Sequence, residues 1–280
     1  MTTSRRVPTV DAVAGALGEL RSRTPVVQSL TNVVSANFVT NVLLAAGASN
    51  AHIDNVHEAG GFARAADGVL INVGTPDDAT AEAFRLAARS AHEAGTPWVL
   101  DPVGVGGLPW RSDLAAELLA HRPTAIRGNA SEIIALAGLR GGTRGVDSSA
   151  DAAAAVPAAL ALLDRAEAVS ASGAIDHLVG RDAGGAVIGV RVGGGSAMLQ
   201  QVTATGCALG GLVAAYLAVA PTPLIGLAAA HVHVAVAAEI AEAAAAGPGT
   251  FAVAYLDALY TVDADTLRAR AQVEIFEPRR

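Results

Sequence analysis

The sequence predicts an α/β fold in which helices cover both faces of a mostly parallel central sheet, with antiparallel additions at one sheet edge. Three observations carry this prediction. Short apolar runs rich in β-branched residues, such as "GVLINVG", alternate with longer stretches of helical spacing, such as "DATAEAFRLAARSAHEAG", and that βαβ rhythm belongs to parallel sheets buried on both faces. Beyond residue 166 the pattern shortens to extended pieces separated by turns that contain Gly and Asp, which is hairpin chemistry. Finally, 280 residues with 52% hydrophobic and 16% charged content can bury a large core, and no Ser-, Pro- or charge-rich linker divides the chain, so one domain over 1–280 is expected.

The elements follow in order. "TVDAVAGALGELRSR" has helical spacing, "PVVQSL" reads as a strand, and "NVVSANFVTNVLLAAG" reads as a helix from Asn32 to a C-terminal cap at Gly47,. The extended piece "SNAHI" leads through "VHEAGGFARAA" to the strand "GVLINVG". A helix follows, with Asp77 or Asp78 as its N-cap and Gly95 as its stop,. "WVLDPVG" and "TAIRGN" repeat the strand pattern, each leading into a helix. "EAVSASG", "DHLVGRD" and "AVIGVRV" are extended segments, separated by tight turns at Gly173 to Asp176 and at "DAGG", and are expected to add antiparallel strands. The remainder is expected to be mainly helical. "CALGGLVAAYLAVA" is too short to span a bilayer, and "PLIGLAAAHVHVAVAAEIAEAAAAG" is interrupted by His231, His233, Glu239 and Glu242, so both read as buried core helices.

Composition excludes several functions. A formal charge of -7 disfavours nucleic acid and anionic membranes as partners,. A single cysteine cannot form an internal disulfide, and "MTTSRRVPTV" lacks the apolar run of a secretory signal, so a cytoplasmic location is expected. All 19 basic residues are arginines. Without lysine there is no P-loop lysine, no Schiff base and no pyridoxal-phosphate anchor. Any phosphate must therefore be met by Arg, by backbone N–H groups or by a metal ion.

Ligands of open α/β sheets bind beyond the carboxyl ends of the strands. There the sequence places Gly74 and Thr75 in "NVGT", Asp101 in "DPVGVG", Arg127, Asn129 and Glu132 in "RGNASE", Ser172 in "SASG", and Thr205, Gly206 and Cys207 in "TATGC". Asp101 and Glu132 could hold Mg²⁺ directly or through water, and Arg127 could pair with phosphate oxygens through its planar donor fork. Each also has a structural reading: Asp101 closing a turn before Pro102, Glu132 complementing a helix dipole, Arg127 in a surface ion pair, Cys207 as a small buried hydrophobe. Their shared location favours a site. His231 and His233 lie two apart on a helix and so cannot share a metal as an i, i+4 pair would; both read as packing residues. The run Gly193 to Gly195 reads as a loop.

Taken together, "LTN...ANFVTNVLLAAGAS", "LINVGT", "VLDPVGVG", "AIRGNASEI", "TATGC" and "GPGTF...LDALY" resemble the hydroxyethylthiazole kinase family of thiamine salvage, over about residues 25 to 260. The resemblance implies a three-layer ribokinase-like fold and ATP-dependent, Mg²⁺-assisted phosphorylation of the primary alcohol of 4-methyl-5-(2-hydroxyethyl)thiazole. It implies ATP binding by Arg127, Ser172 and Asn129, and metal organisation by Asp101 and Glu132. The thiazole side would be lined by Asn32, His52, Gly74, Thr75 and Ala204. Homotrimers with sites at subunit contacts are also implied. Cys207 falls where the wider superfamily places an Asp general base.

The helix start at Thr205, Gly206 and Cys207 is read as an anion cradle for the transferring phosphoryl group. The same field is expected to lower the Cys207 thiol pKa, so that the thiol takes the alcohol proton late. Departures fall on the thiazole side: Asn50 and His52 where the family has Pro and Met, and Ala204 where it has Gly. If φ is positive at Ala204, strain of about 1 kcal/mol is expected. Competing readings are a ribokinase-like kinase for another vitamin precursor or a modified thiazole, a non-catalytic thiazole- or nucleotide-binding protein, and a cysteine hydrolase, which would need a His beside Cys207.

Overall fold

A computed structural model describes residues 7–138, 151–182 and 184–278. The first half alternates strands β1 (Val26–Leu30), β2 (Ser49–Ala51), β3 (Gly68–Asn72), β4 (Trp98–Asp101) and β5 (Ala125–Asn129) with helices α1 (Val10–Arg23), α2 (Ala36–Ala46), α3 (Ala59–Ala63), α4 (Asp78–Ala94), α5 (Pro109–Leu118) and α6 (Ala130–Leu136). Helix α7 (Val156–Leu162) precedes three strands, β6 (Ala168–Ser172), β7 (Asp176–Arg181) and β8 (Val187–Gly193). The chain ends with α8 (Thr205–Leu217), α9 (Pro223–Ala244), α10 (Pro248–Thr261), α11 (Ala264–Arg270) and β9 (Gln272–Phe276).

All nine strands form one sheet, ordered β2-β1-β3-β4-β5-β6-β7-β8-β9. Pairing is parallel from β2 to β6 and antiparallel from β6 to β9. Successive strand residues point to opposite faces, so each strand feeds two cores. Leu70, Val99 and Leu178 join α1, α2 and α8–α11 on one face; Val69, Ile71, Leu100 and Val179 join α3–α7 on the other. Burial on both faces explains why β3 reads as an unbroken apolar run rather than an alternation. Helix α4 starts with a capping box at Asp77 and stops at Gly95, and α2 stops at Gly47; both glycines are left-handed, as their positions in the sequence predict. Helix α9 is long and apolar enough by composition to cross a membrane, but 89% of its apolar window is buried inside the fold, which makes it a core helix.

Three local expectations are corrected. Helix α2 begins at Ala36 rather than Asn32, because the Asn32 carbonyl accepts from the N–H groups of both Ser35 and Ala36 and closes a turn there. Of the three segments expected to add antiparallel strands, the first, β6, extends the parallel sheet through β5, and only its partner β7 reverses direction. The C-terminal stretch is mainly helical, as expected, and closes with "QVEIF" as the edge strand β9. Finally, His231 does more than pack: both of its ring nitrogens are hydrogen-bonded, as described below. The turn expected at "DAGG" includes residue 183, which lies outside the described residues.

Candidate active site

The parallel strands β1, β3, β4, β5 and β6 end on the same side of the sheet, and Arg127, inside β5, approaches Gly206 in the first turn of α8. Asn72 ends β3 in register with Asp101, which ends β4, and Asn72 Nδ2 donates to Asp101 Oδ2 at 2.6 Å. Asn72 Oδ1 accepts from the Gly74 N–H at 3.0 Å and from Asn32 Nδ2 at 2.9 Å. Asn32 Nδ2 also donates to Cys207 Sγ at 3.3 Å. On the opposite side Arg127 Nη1 lies 3.9 Å from Asp101 Oδ1, and a Cβ placed on Gly206 would stand 3.2 Å from the same guanidinium nitrogen. The path from Cys207 through Asn32, Asn72, Asp101 and Arg127 to Gly206 thus closes a ring around the start of α8.

Two small residues make this approach possible. A Cβ on Gly74 would fall 2.7 Å from Asn32 Nδ2, so any larger residue would push Asn32 out of the ring. Ala204, the N-cap of α8, has φ 72°, a left-handed conformation that strains a residue with a Cβ. Ala204→Gly is therefore expected to stabilise the fold by about 0.5–1 kcal/mol, read as a higher midpoint in chemical denaturation. An unchanged or lower midpoint would show that the turn carries no strain.

The electrostatics follow from burial. Asp101 is completely inaccessible. Desolvation raises its carboxyl pKa to about 7, against the opposing pull of the Arg127 charge and the Asn72 hydrogen bond; Glu132 pushes it further up. The Cys207 thiol is pushed up as well, first by burial and then by the Asp101 charge, while the Asn32 hydrogen bond and Arg127 oppose the rise. This corrects the expectation of a lowered thiol pKa: the helix start is present, but desolvation beside a carboxylate outweighs it. Among the described residues Cys207 has no histidine partner; its hydrogen bond comes from Asn32, so the hydrolase arrangement is not formed.

Beside the ring opens a cavity of about 1010 Å³, whose walls include Arg127, Asn129, Ser172, Asp176, Thr205 and Gly206. Its size suits a nucleotide. Arg127 Nε, Ser172 Oγ and Asp101 Oδ1 are buried without any hydrogen-bond partner. Unsatisfied buried polar atoms are rare in folded proteins, and these three belong to the neighbouring strands β4, β5 and β6. Asn129 serves first as the N-cap of α6, its Oδ1 accepting from Glu132 N–H and Ser131 Oγ.

Glu132 completes that capping box. Its Oε2 accepts from Asn129 N–H at 2.9 Å and its Oε1 from Gly104 N–H at 3.0 Å, tying the loop after β4 to the end of β5. Thr75 Oγ1 accepts from Val33 N–H. His52 stands farther along, with Nδ1 bonded to Ser29 O and Nε2 3.3 Å from Asp54 Oδ2; its polar partners are not members of the ring. Among the described residues no three or more His, Cys, Asp or Glu side chains cluster to hold a metal ion. The donors nonetheless fit Mg²⁺ held mainly by phosphate and water: all are hard oxygens, and Asp101 Oδ1 is an acceptor without a donor,.

Sequence reasoning missed Asn72, which links both halves of the ring. It stands as the only polar residue of β3, at that strand's last position, and a fully buried amide ending an apolar strand is the signal that could have marked it,.

Comparison with known proteins bears on this arrangement. The sequence profile of the hydroxyethylthiazole kinase family matches residues 17–265. The hydroxyethylthiazole kinase of Rhodococcus erythropolis is 72% identical over 268 residues, covering 96% of this chain and 95% of the relative. The solved structure of the hydroxyethylthiazole kinase protein from Pyrococcus horikoshii superposes with a TM-score of 0.84 at 34% identity, covering 95% of this chain and 99% of that one. A ribokinase-like superfamily protein from Enterococcus faecalis superposes with a TM-score of 0.60 at 13% identity, covering 92% and 96%; that similarity concerns the fold alone.

Proposed function

The chain belongs to the hydroxyethylthiazole kinase family, and from that premise we propose how its own residues carry out the reaction. The enzyme transfers the γ-phosphoryl group of ATP to the primary alcohol of 4-methyl-5-(2-hydroxyethyl)thiazole, within thiamine salvage, on a ribokinase-like fold that we treat as one domain over 1–280. One observation carries the site assignment: the Arg127 guanidinium reaches both the Asp101 carboxylate and the first turn of α8, so a cation, an anion and a helix start surround a single point without lysine.

In this reading ATP occupies the cavity lined by Arg127, Asn129 and Ser172, where the orphaned Ser172 hydroxyl and Arg127 Nε gain partners. The alcohol lies on the side of Asn32, Gly74, Thr75, His52 and Ala204. Its oxygen attacks the γ-phosphorus while the bond to the β–γ bridging oxygen breaks, and the electron pair leaves with ADP. Backbone N–H groups of Thr205, Gly206 and Cys207 and the Arg127 fork hold the negative charge of the transferring group. Asp101 and Glu132 would hold Mg²⁺, directly or through water, and the ion would supply neutralisation of phosphate charge.

The transition state is loose, so the alcohol proton becomes acidic only once the new bond has largely formed; it then passes to an oxygen of the transferred phosphoryl group, and a strong base is not required. A thiol whose pKa is raised stays neutral and serves as a hydrogen-bonded wall. Cys207→Ser is therefore expected to lower kcat by less than about 100-fold, below the range for loss of a general base, with ATP binding intact. A loss beyond that range in a folded, ATP-binding variant would assign the proton to Cys207.

The exposed apolar side chains Val33 and Val34, which follow Asn32 in the chain, support a homotrimer with its thiazole sites at subunit contacts, and we place the enzyme in the cytoplasm, where its co-substrate is made. The polar pair His52 and Asp54 supports acceptance of a modified thiazole alcohol as well. A panel of thiazole, pyrimidine and pyridine alcohols with ATP tests the assignment. Turnover is expected to be fastest on thiazole alcohols, and equal rates on sugars with none on thiazoles would refute it.

A further inference from the structure

Helix α9 is apolar along its buried length, yet His231 lies in its middle with a side chain of zero exposure. Burying an imidazole in such a helix is costly unless both nitrogens are paired, and both are. Nδ1 donates to Asp176 Oδ2 at 2.7 Å, and Nε2 meets Ser170 Oγ at 3.1 Å. Asp176 in turn uses Oδ1 to accept from the Gly173 N–H at 2.9 Å. His231 therefore reaches across from α9 to the turn between β6 and β7, the turn that carries Ser172 and Gly173 into the cavity wall. Through Ser170 it also reaches the strand position paired with Arg127.

Asp176 is the unusual member. It is a carboxylate in the wall of a cavity assigned to ATP, close enough to Arg127 for the guanidinium to stabilise its charge. Left unpaired, it would repel phosphate and compete for the same Arg127 that the nucleotide needs.

Resting on the kinase reading of this cavity, we propose that His231 is a positioning residue for nucleotide binding. It pins Asp176 in the β6–β7 turn, so that the carboxylate shapes the Ser172 loop while Arg127 stays free for phosphate. The device acts on ATP and not on the alcohol, because the ring of Asn32, Asn72 and Cys207 lies on the other side of Arg127.

The experiment measures ADP and ATP binding by calorimetry, and KM for each substrate, in the full-length wild type, His231→Leu, His231→Asn and His231→Leu/Asp176→Asn, with folding followed by circular dichroism. His231→Leu should weaken nucleotide binding at least about tenfold, as expected when a buried carboxylate loses its hydrogen-bond donor, with KM for the thiazole alcohol within about twofold. His231→Asn retains a donor toward Asp176 and should bind nearly as wild type. The double variant removes the unpaired carboxylate and should recover most of the loss; a merely structural histidine would give an additive, weaker double variant. Wild-type affinity in His231→Leu, or no recovery in the double variant, would overturn the proposal. Should His231→Leu fail to fold, a folded His231→Asn that loses nucleotide affinity would overturn it. A wild type that binds no ATP would instead remove the kinase reading on which the proposal rests.

Discussion

Replacing Asp101 by Asn should lower kcat by roughly 10²–10³, the range seen when one preorganised electrostatic group is taken from a transition state, while making the metal-free protein more stable above neutral pH. The two effects share one cause. Burial raises the Asp101 pKa from 3.8 to about 7, so between those values the folded protein keeps a proton that the unfolded chain releases. The stability this contributes is fully present below the unfolded pKa, and it is lost as pH rises through about 7,. Metal-free wild type should therefore become less stable from about pH 4 to pH 8, by on the order of a few kcal/mol from this group. Asn keeps an acceptor for Asn72 and carries no charge, so the variant should lack that slope. Urea titrations across this range read it directly, and equal slopes in both proteins would show that Asp101 is not held protonated by the fold.

Arg127→Ala should damage the enzyme at least as severely, with kcat/KM for ATP falling by about 10³ or more, since the phosphate loses its fork and the cavity its cation. A second consequence separates this from simple loss of a contact. Arg127 is the charge that opposes protonation of Asp101, so its removal moves the pH-dependent loss of stability above 7. Arg127→Lys keeps a charge but not the planar fork, and should recover only part of the activity. Unchanged ADP affinity in Arg127→Ala would place the nucleotide elsewhere.

Much of this was legible in the chain because parallel sheets write themselves plainly. Short β-branched runs, Gly stops at 47 and 95, and the Asp77 cap each depend on local physics. Asp101 and Ser172, the last residues of β4 and β6, were legible for the same reason, whereas Arg127 lies inside β5 rather than after it. What stayed hidden depends on distance or on solvent. Val33 and Val34 imitate helical periodicity, yet they are exposed, and Asn32 is drawn instead into bonds with Asn72 and Cys207, the latter 175 residues away. Strand β9 is short and mostly exposed, so it lacks a buried pattern. The Cys207 pKa turned first on burial and then on a nearby buried carboxylate, neither of which spacing can show. His231 was read as a packing residue, because its partner Asp176 is 55 residues distant.

The most direct test follows the phosphorus. ATP carrying heavy oxygen throughout its γ-phosphoryl group is incubated with Mg²⁺, the protein and hydroxyethylthiazole, and the products are weighed by mass spectrometry. Direct transfer within the ring of Asp101, Arg127 and the α8 start predicts a thiazole alcohol phosphate bearing three heavy oxygens, its ester oxygen light, together with ADP. Heavy inorganic phosphate beside untouched alcohol would contradict it.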